Sequence, residues 1–266
     1  MKDKRIAIIG CGNLGITIAH GLLDDKGFRP SNLIATRRNT ATLSELAAKG
    51  VLVTTDNSEA VKQADVVVLA VKPFNVKPIL KEISASLNAE QHILVCLATG
   101  ITLNELSEWS GRSLPTFRAM PNTAADVNES MTMICDNGAT AEQRNYITAL
   151  FDKIGTTLYI DESLMEAATI LGACGIAYVL RFMRAMIQGG IEVGFDAKTA
   201  TAIVSQTMKG ASELIIQNGS HPESEIDKVT TPKGCTITGL NEMEHAGFSS
   251  ALIKGIVASY KKIEKS

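Results

Sequence analysis

The chain has 266 residues, 45% of them hydrophobic, and a formal net charge of −2 at pH 7. It is long enough to bury a sizeable core as one large or two smaller domains, and with no run of basic residues it excludes nucleic acid or an anionic membrane as the main partner. Its 5 cysteines include no CxxC pair and read as reduced thiols of an intracellular, cytoplasmic protein, while the 4 dispersed histidines offer no metal-ligand spacing.

The opening MKDKRIAIIG passes from charge straight into a short apolar run, unlike a signal peptide. Residues 5–10 (RIAIIG) read as a first strand. Residues 13–25 follow as a helix with Leu14, Ile18 and Leu22 on one face beside the small Gly15 and Ala19. Further strands are predicted at 33–36, 51–55, 64–73, 92–100, 117–121, 131–136 and 156–161. The runs ADVVVLAV and HILVCLA are apolar throughout, as strands covered on both faces are. Strand and helix alternation of this kind predicts a doubly wound, mostly parallel α/β sheet of the Rossmann type.

Between the first strand and first helix stands 10-GCGNLG-15. Alone this is a weak pattern; between a strand and a helix it is the fingerprint of a dinucleotide site. Gly10 allows the tight turn, Gly12 lets backbone approach a pyrophosphate, and Gly15 lets helix pack on strand. Asn13 and Leu14 open the helix whose free N–H groups would face the phosphates. At the end of the second strand an acid usually takes the ribose 2′-hydroxyl. Here Thr36, Arg37 and Arg38 stand in its place, two guanidinium groups suited to a 2′-phosphate. NADP(H) is the expected cofactor, with NAD(H) as the second option.

From Glu162 the strands cease. Residues 163–190, 196–218 and 236–263 read as helical, with glycine at the breaks Gly189–Gly190, Gly219 and Gly247. The boundary is placed near Asp161, giving residues 1–161 to a nucleotide domain and 162–266 to a helical domain. The apolar run Ala167–Leu180 ends at Arg181, short of the roughly 20 residues a bilayer requires, and the surplus apolar surface suits a dimer interface. The usual bases for alcohol oxidation are missing. No lysine lies between Lys153 and Lys198, where β-hydroxyacid dehydrogenases carry theirs, and no histidine lies between His92 and His221, as the hydroxyacyl-CoA type needs. Imine reduction lacks that requirement: a protonated C=N already carries its proton, and the protein need only position it and offer a hydrogen bond.

The motifs IAIIGCGNLG, 70-AVKP-73, 98-ATGIT-102, 118-RAMPNTAA-125 and 229-VTTPKGCTITGLNEMEHAGF-248 resemble those of the pyrroline-5-carboxylate reductase family. The resemblance runs along most of the chain, and its MPNT and C-terminal parts are its most specific. It implies reduction of 1-pyrroline-5-carboxylate to L-proline by a homodimer, with assembly into decamers in the family. It implies cofactor contacts at Ala70, Lys72, Pro73, Pro121 and Asn122, and at Asn57 near the adenosine ribose. It implies a carboxylate cradle of Thr231, Gly234, Cys235 and Thr236, with the Thr236 hydroxyl on the ring nitrogen as the catalytic group. Without the resemblance, Thr236 reads as an ordinary N-cap of a helix over 236–246. The family pattern is broken at Lys233, where it has glycine, at Cys235, and across Gly172–Ile176, where it reads like SGSGP. Two alternatives therefore stand beside the main reading: a reductase of a related cyclic imine acid, and a catalytically inactive NADP(H)-binding regulator.

Overall fold

The computed structural model describes residues 4–263 and contains two compact units, the first reaching to Cys174 and the second covering Gly175–Lys261. The first unit follows the alternation read from the sequence. In chain order it runs β1 (Ile6–Ile9), α1 (Asn13–Asp24), β2 (Leu33–Thr36), α2 (Ser44–Ala48), β3 (Leu52–Thr54), α3 (Asn57–Lys62) and β4 (Val66–Leu69). It continues with α4 (Pro73–Ile83), β5 (Ile93–Cys96), α5 (Leu103–Ser110), β6 (Thr116–Met120), β7 (Ser130–Asn137), α6 (Ala141–Phe151) and β8 (Gly155–Tyr159). The sheet order is β3-β2-β1-β4-β5-β6-β7-β8, parallel at every pairing except β6 with β7.

Each central strand is buried along its whole length and feeds alternate side chains to opposite faces. Ile6, Ile8, Val66 and Val68 pack beneath α1 and α6 through Ile18, Leu22, Ile147 and Phe151. Ala7, Ile9, Val67 and Leu69 meet Val61, Val76, Leu80 and Leu106 of α3, α4 and α5. Each such buried aliphatic side chain contributes about 1.5–3 kcal/mol of transfer free energy. Strand order reverses between β1 and β4, so the crevice where ligands collect in doubly wound sheets opens at the carboxyl ends of these two strands.

The strand series ends at Tyr159 and helix begins at Glu162. Residues 162–174 nonetheless belong to the first unit, for an electrostatic reason. The Arg118 guanidinium on β6 is buried, with its side chain 4% exposed, and it donates to Glu162 Oε1 at 3.1 Å and to Glu166 Oε1 at 2.7 Å. Burial works against the charge, but the hydrogen bonds the guanidinium donates to both carboxylates outweigh it. Glu162 Oε1 also accepts the Leu103 N–H at 2.7 Å, so α5, β6 and α7 (Met165–Ala168) share one ionic node. A π-helical turn, Thr169–Cys174, follows. By length and composition alone the helical run Glu162–Glu192 is able to cross a membrane, yet its first turns are fixed to the sheet by this node.

The second unit carries α8 (Gly175–Glu192), α9 (Ala197–Asn218), α10 (Pro222–Val229) and α11 (Cys235–His245), with α12 (Phe248–Ile263) last. The helical stretch from 236 breaks at Gly247, as its glycine suggested, with φ +81° there, whereas α8 runs unbroken through Gly189–Gly190. The short α10 was not among the predicted helices; its sequence PESEIDKV is mostly polar and shows no apolar stripe. Among the described residues, α8, α11 and α12 bury none of their side chains and α9 buries only Ala200 and Val204. Leu180, Ile216 and Ile253 are 57%, 74% and 61% exposed. Helices this apolar cannot supply their own core, so this unit needs a partner surface.

The ionic node gives a stability test. Glu166→Ala leaves a buried guanidinium with Glu162 as its only carboxylate. Urea unfolding is expected to show a loss of about 3 kcal/mol, the low end of what breaking a buried pair costs.

Candidate functional site

A cleft of about 1300 Å³ opens at the switch point of the first unit. Its floor is the turn from β1 into α1. Gly10 has φ +78°, and a Cβ there would run into Val71 Cγ1. The Gly10 N–H donates to Thr36 Oγ1 at 3.1 Å, and the Cys11 N–H donates to the Thr36 carbonyl at 2.7 Å, which joins the turn to the end of β2. Gly12 caps α1 without any side-chain cap, and no acid stands in the first turn, so the helix presents bare N–H groups and the positive end of its dipole. A Cβ on Gly12 would come no nearer than 3.8 Å to any protein atom: the space above it is open for a ligand. Gly15 serves packing, its would-be Cβ 3.1 Å from Ile8 Cγ2 and 3.4 Å from Ala70 Cβ. These features suit a pyrophosphate on the helix N-terminus.

Of the residues predicted for the cofactor, Gly10, Gly12, Asn13, Leu14, Thr36, Arg37, Arg38, Asn57, Ala70, Lys72, Pro73, Pro121 and Asn122 all line this cleft, and Gly15 lies buried behind it. Arg37 Nη1 donates to the Cys11 carbonyl at 3.4 Å. The Cys11 thiol in the same turn is inert, since burial pushes its pKa up to about 12 despite Arg37. Asn122 acts mainly on the protein itself. Its Oδ1 accepts the Ala124 N–H at 2.9 Å, and its Nδ2 donates to the Gly172 carbonyl at 2.9 Å. That contact brings the π-helical turn to the cleft edge, where Ala173 joins the lining. Gly172 is confined there: a Cβ would stand 2.5 Å from Met133 Cε, so the serine of the family pattern would displace that side chain.

Sequence reasoning missed several lining residues. Asn75, Ile79 and Glu82 come from one face of α4, a spacing of three and four that was readable in the residues after AVKP. Thr17 and Asp126 also line the cleft and are hydrogen-bonded to each other, hydroxyl to carboxylate. Nothing local in the sequence pairs those two. A second cleft of about 520 Å³ lies beside Asp136, Arg144 and Tyr159, and none of the predicted residues lines it.

Thr231, Gly234, Cys235 and Thr236 sit in the second unit, at the start of α11. The structure corrects one reading: α11 begins at Cys235 and its N-cap is Gly234, so Thr236 lies within the first turn and does not cap. Gly234 is required by contact, since a Cβ would fall 2.5 Å from Thr231 Oγ1 and 2.9 Å from its carbonyl, to which the Gly234 N–H donates at 2.9 Å. No side chain caps α11 and no acid stands in its first turn. Thr236 is exposed, and among the described residues its hydroxyl makes no hydrogen bond. Lys233 has φ +61°, the left-handed conformation that explains glycine at this place in the family pattern and costs a lysine about 1 kcal/mol.

A family model described as pyrroline-5-carboxylate reductase dimerisation matches residues 162–266, and one described as NADP oxidoreductase, coenzyme F420-dependent, matches residues 5–100. Pyrroline-5-carboxylate reductase 1 of Dictyostelium discoideum is 41% identical over 98% of this chain, which spans 50% of that protein's length. Pyrroline-5-carboxylate reductase 2 of the same organism is 39% identical over 100% of this chain and 94% of its own. The crystal structure of Plasmodium falciparum pyrroline carboxylate reductase with NADP bound has a TM-score of 0.90 at 24% identity, covering 100% of this chain and 98% of that one.

The two glycines of the turn are separable by experiment. Gly12→Ala is expected to change stability by less than about 0.5 kcal/mol, because the Cβ meets only the Gly10 carbonyl oxygen, at an ordinary contact distance of 3.8 Å. It should weaken NADPH binding at least tenfold, about 1.4 kcal/mol, because the methyl takes the ligand's space. Gly10→Ala should instead lower the melting temperature itself, through Val71 and the positive φ. Fluorescence titration and thermal unfolding of both variants check the contrast.

Proposed function

The chain belongs to the pyrroline-5-carboxylate reductase family, and from that premise we propose that it reduces the cyclic imine 1-pyrroline-5-carboxylate to L-proline with NADPH, the last step of proline biosynthesis. The observation that carries this reading is the start of α11: an uncapped helix end with no acid in its first turn and, one residue inside it, a hydroxyl that among the described residues has no partner. Such a helix end favours a carboxylate, and a free hydroxyl can meet a ring nitrogen.

When bound, NADPH supplies a hydride. Gly10, Gly12, Asn13 and Leu14 would hold its pyrophosphate, with Gly15 letting α1 pack close. Thr36, Arg37, Arg38 and Asn57 would hold its adenosine end, and Ala70, Lys72, Pro73, Pro121 and Asn122 its nicotinamide side. Thr231, Gly234, Cys235 and Thr236 would receive the substrate carboxylate on their backbone, and Thr236 would hydrogen-bond the imine nitrogen. No covalent intermediate is needed, so the exposed Cys235 has no nucleophilic task. Lys233 places a flexible cation in the same loop, which suits an anionic substrate.

The helical half is the dimerisation domain of this family, and the exposed faces of α8, α9 and α12 are the surface for it. We assign the chain to a homodimer that can assemble further, up to a decamer. Light scattering on purified protein is expected to return a dimer or a multiple of it; a monomer at micromolar concentration would contradict the assignment.

Loss of NADPH absorbance at 340 nm upon addition of pyrroline-5-carboxylate tests the activity. Thr236→Ala should lower kcat/KM by about tenfold to a hundredfold, the equivalent of about 1.4–2.7 kcal/mol, and leave the affinity for NADPH unchanged. A fully active Thr236→Ala protein would remove Thr236 from its role, and a wild type that binds NADPH without turning over this imine or its analogues would favour a regulator.

A further inference from the structure

Strand β2 ends without the acid that reads the ribose 2′-hydroxyl in many dinucleotide folds. A carboxylate reaches that place by another route. The Thr36 hydroxyl donates to Asn57 Oδ1 at 2.6 Å, and Asn57 Nδ2 donates to Glu82 Oε1 at 3.1 Å. With the Gly10 N–H on Thr36 Oγ1, this makes one chain of hydrogen bonds from α4, through the start of α3 and the end of β2, to the glycine turn. Thr36, Asn57 and Glu82 all line the cofactor cleft, as do Arg37 and Arg38. A second bond ties the same two helices, Ser58 Oγ donating to the Glu82 carbonyl at 3.4 Å.

The direction of this chain follows from Glu82. A carboxylate only accepts hydrogen bonds, so the Asn57 amide must turn its NH₂ toward Glu82 and its oxygen toward Thr36. The Thr36 hydroxyl then donates to Asn57 and keeps its lone pairs for the Gly10 N–H. The opposite amide orientation would set two acceptors face to face at Glu82. Glu82 also brings a negative charge to a cleft wall that holds two arginines. A 2′-phosphate is repelled by that charge and attracted by the arginines, whereas a 2′-hydroxyl can be accepted by a carboxylate oxygen.

We propose that Glu82 is a specificity-determining residue of the cofactor site, orienting Asn57 and Thr36 and opposing the preference of Arg37 and Arg38 for a 2′-phosphate. The proposal rests on the cleft taking a nicotinamide dinucleotide. It makes the choice between NADPH and NADH a balance of opposed charges on β2 and α4, set by residues that touch no reacting atom.

Dissociation constants for NADPH and NADH, measured by cofactor fluorescence on the intact protein without substrate, test this independently of turnover. Glu82→Gln removes the charge and keeps an acceptor; the ratio of the NADH constant to the NADPH constant should rise about threefold to tenfold at low salt. At 0.5 M salt the rise should shrink below about twofold, which a merely structural effect would not do. Glu82→Asp keeps the charge and should hold the ratio within about twofold of wild type. Glu82→Ala frees the Asn57 amide as well and should show the same direction of change. A wild type that binds both cofactors, with a ratio unmoved in Glu82→Gln and Glu82→Ala, would overturn the assignment of Glu82 alone. A wild type that binds neither would overturn the dinucleotide reading and this proposal with it.

Discussion

The cofactor cleft depends on the close backbone approach at Gly10. Strand β1 ends against the side chain of Val71, which follows β4, and the chain can turn there only because no Cβ intervenes and φ can be positive. The same residue gives its N–H to Thr36 at the end of β2. One turn therefore brings together the ends of β2, β1 and β4, and from these ends come the two arginines, the bare start of α1 and the AVKP segment. The open space above Gly12 is a consequence: once Gly10 has set the direction of the chain, α1 starts with its N–H groups facing a volume that no side chain enters.

A second constraint acts on β6, the strand that leads into the MPN segment. The buried Arg118 guanidinium stays charged and is costly to leave unpaired, and its partners are glutamates at the start of the helical half. Electrostatic necessity thus extends the first unit past the last strand as far as the π-helical turn. The turn meets Asn122 through the Gly172 carbonyl, so the MPN segment and the turn are set by each other. Met133 occupies the room that a larger side chain at position 172 would take.

What the sequence made legible divides along physical lines. The central strands were readable because both faces are buried, which leaves an unbroken apolar run, and the glycine turn was readable because only glycine can take the conformation and close approach of Gly10. The AVKP and MPNT residues were found through family resemblance, and their spacing alone would not have placed them on one cleft. Glu82 shares a legible face of α4 with Asn75 and Ile79, but only the contact with Asn57, distant in sequence, gives it a role. The pairing of Arg118 with Glu162 and Glu166 was missed for the same reason, since burial of an arginine on β6 cannot be read from neighbouring residues. Helix α10 lacks an apolar stripe to announce it, and α11 begins at Cys235 because the glycine before it caps the helix, which displaced the expected start by one residue.

Lys233 shows how sequence and backbone constrain each other where the reading of the substrate matters most. The loop before α11 passes through the left-handed region at Lys233, and Gly234 folds back onto Thr231 within contact distance. A glycine adopts that conformation freely, and the family pattern has one. A lysine adopts it at a cost of about 1 kcal/mol, small against the 5–15 kcal/mol by which domains are stable but enough that the residue is not neutral. The turn itself is thus preserved, and with it the bare helix end and the free Thr236 hydroxyl. What the substitution adds is a long, positively charged side chain on an exposed loop, beside the backbone that would receive a carboxylate. The substitution thus acts through charge at the loop's surface, while the start of α11 beside it keeps its uncapped N–H groups.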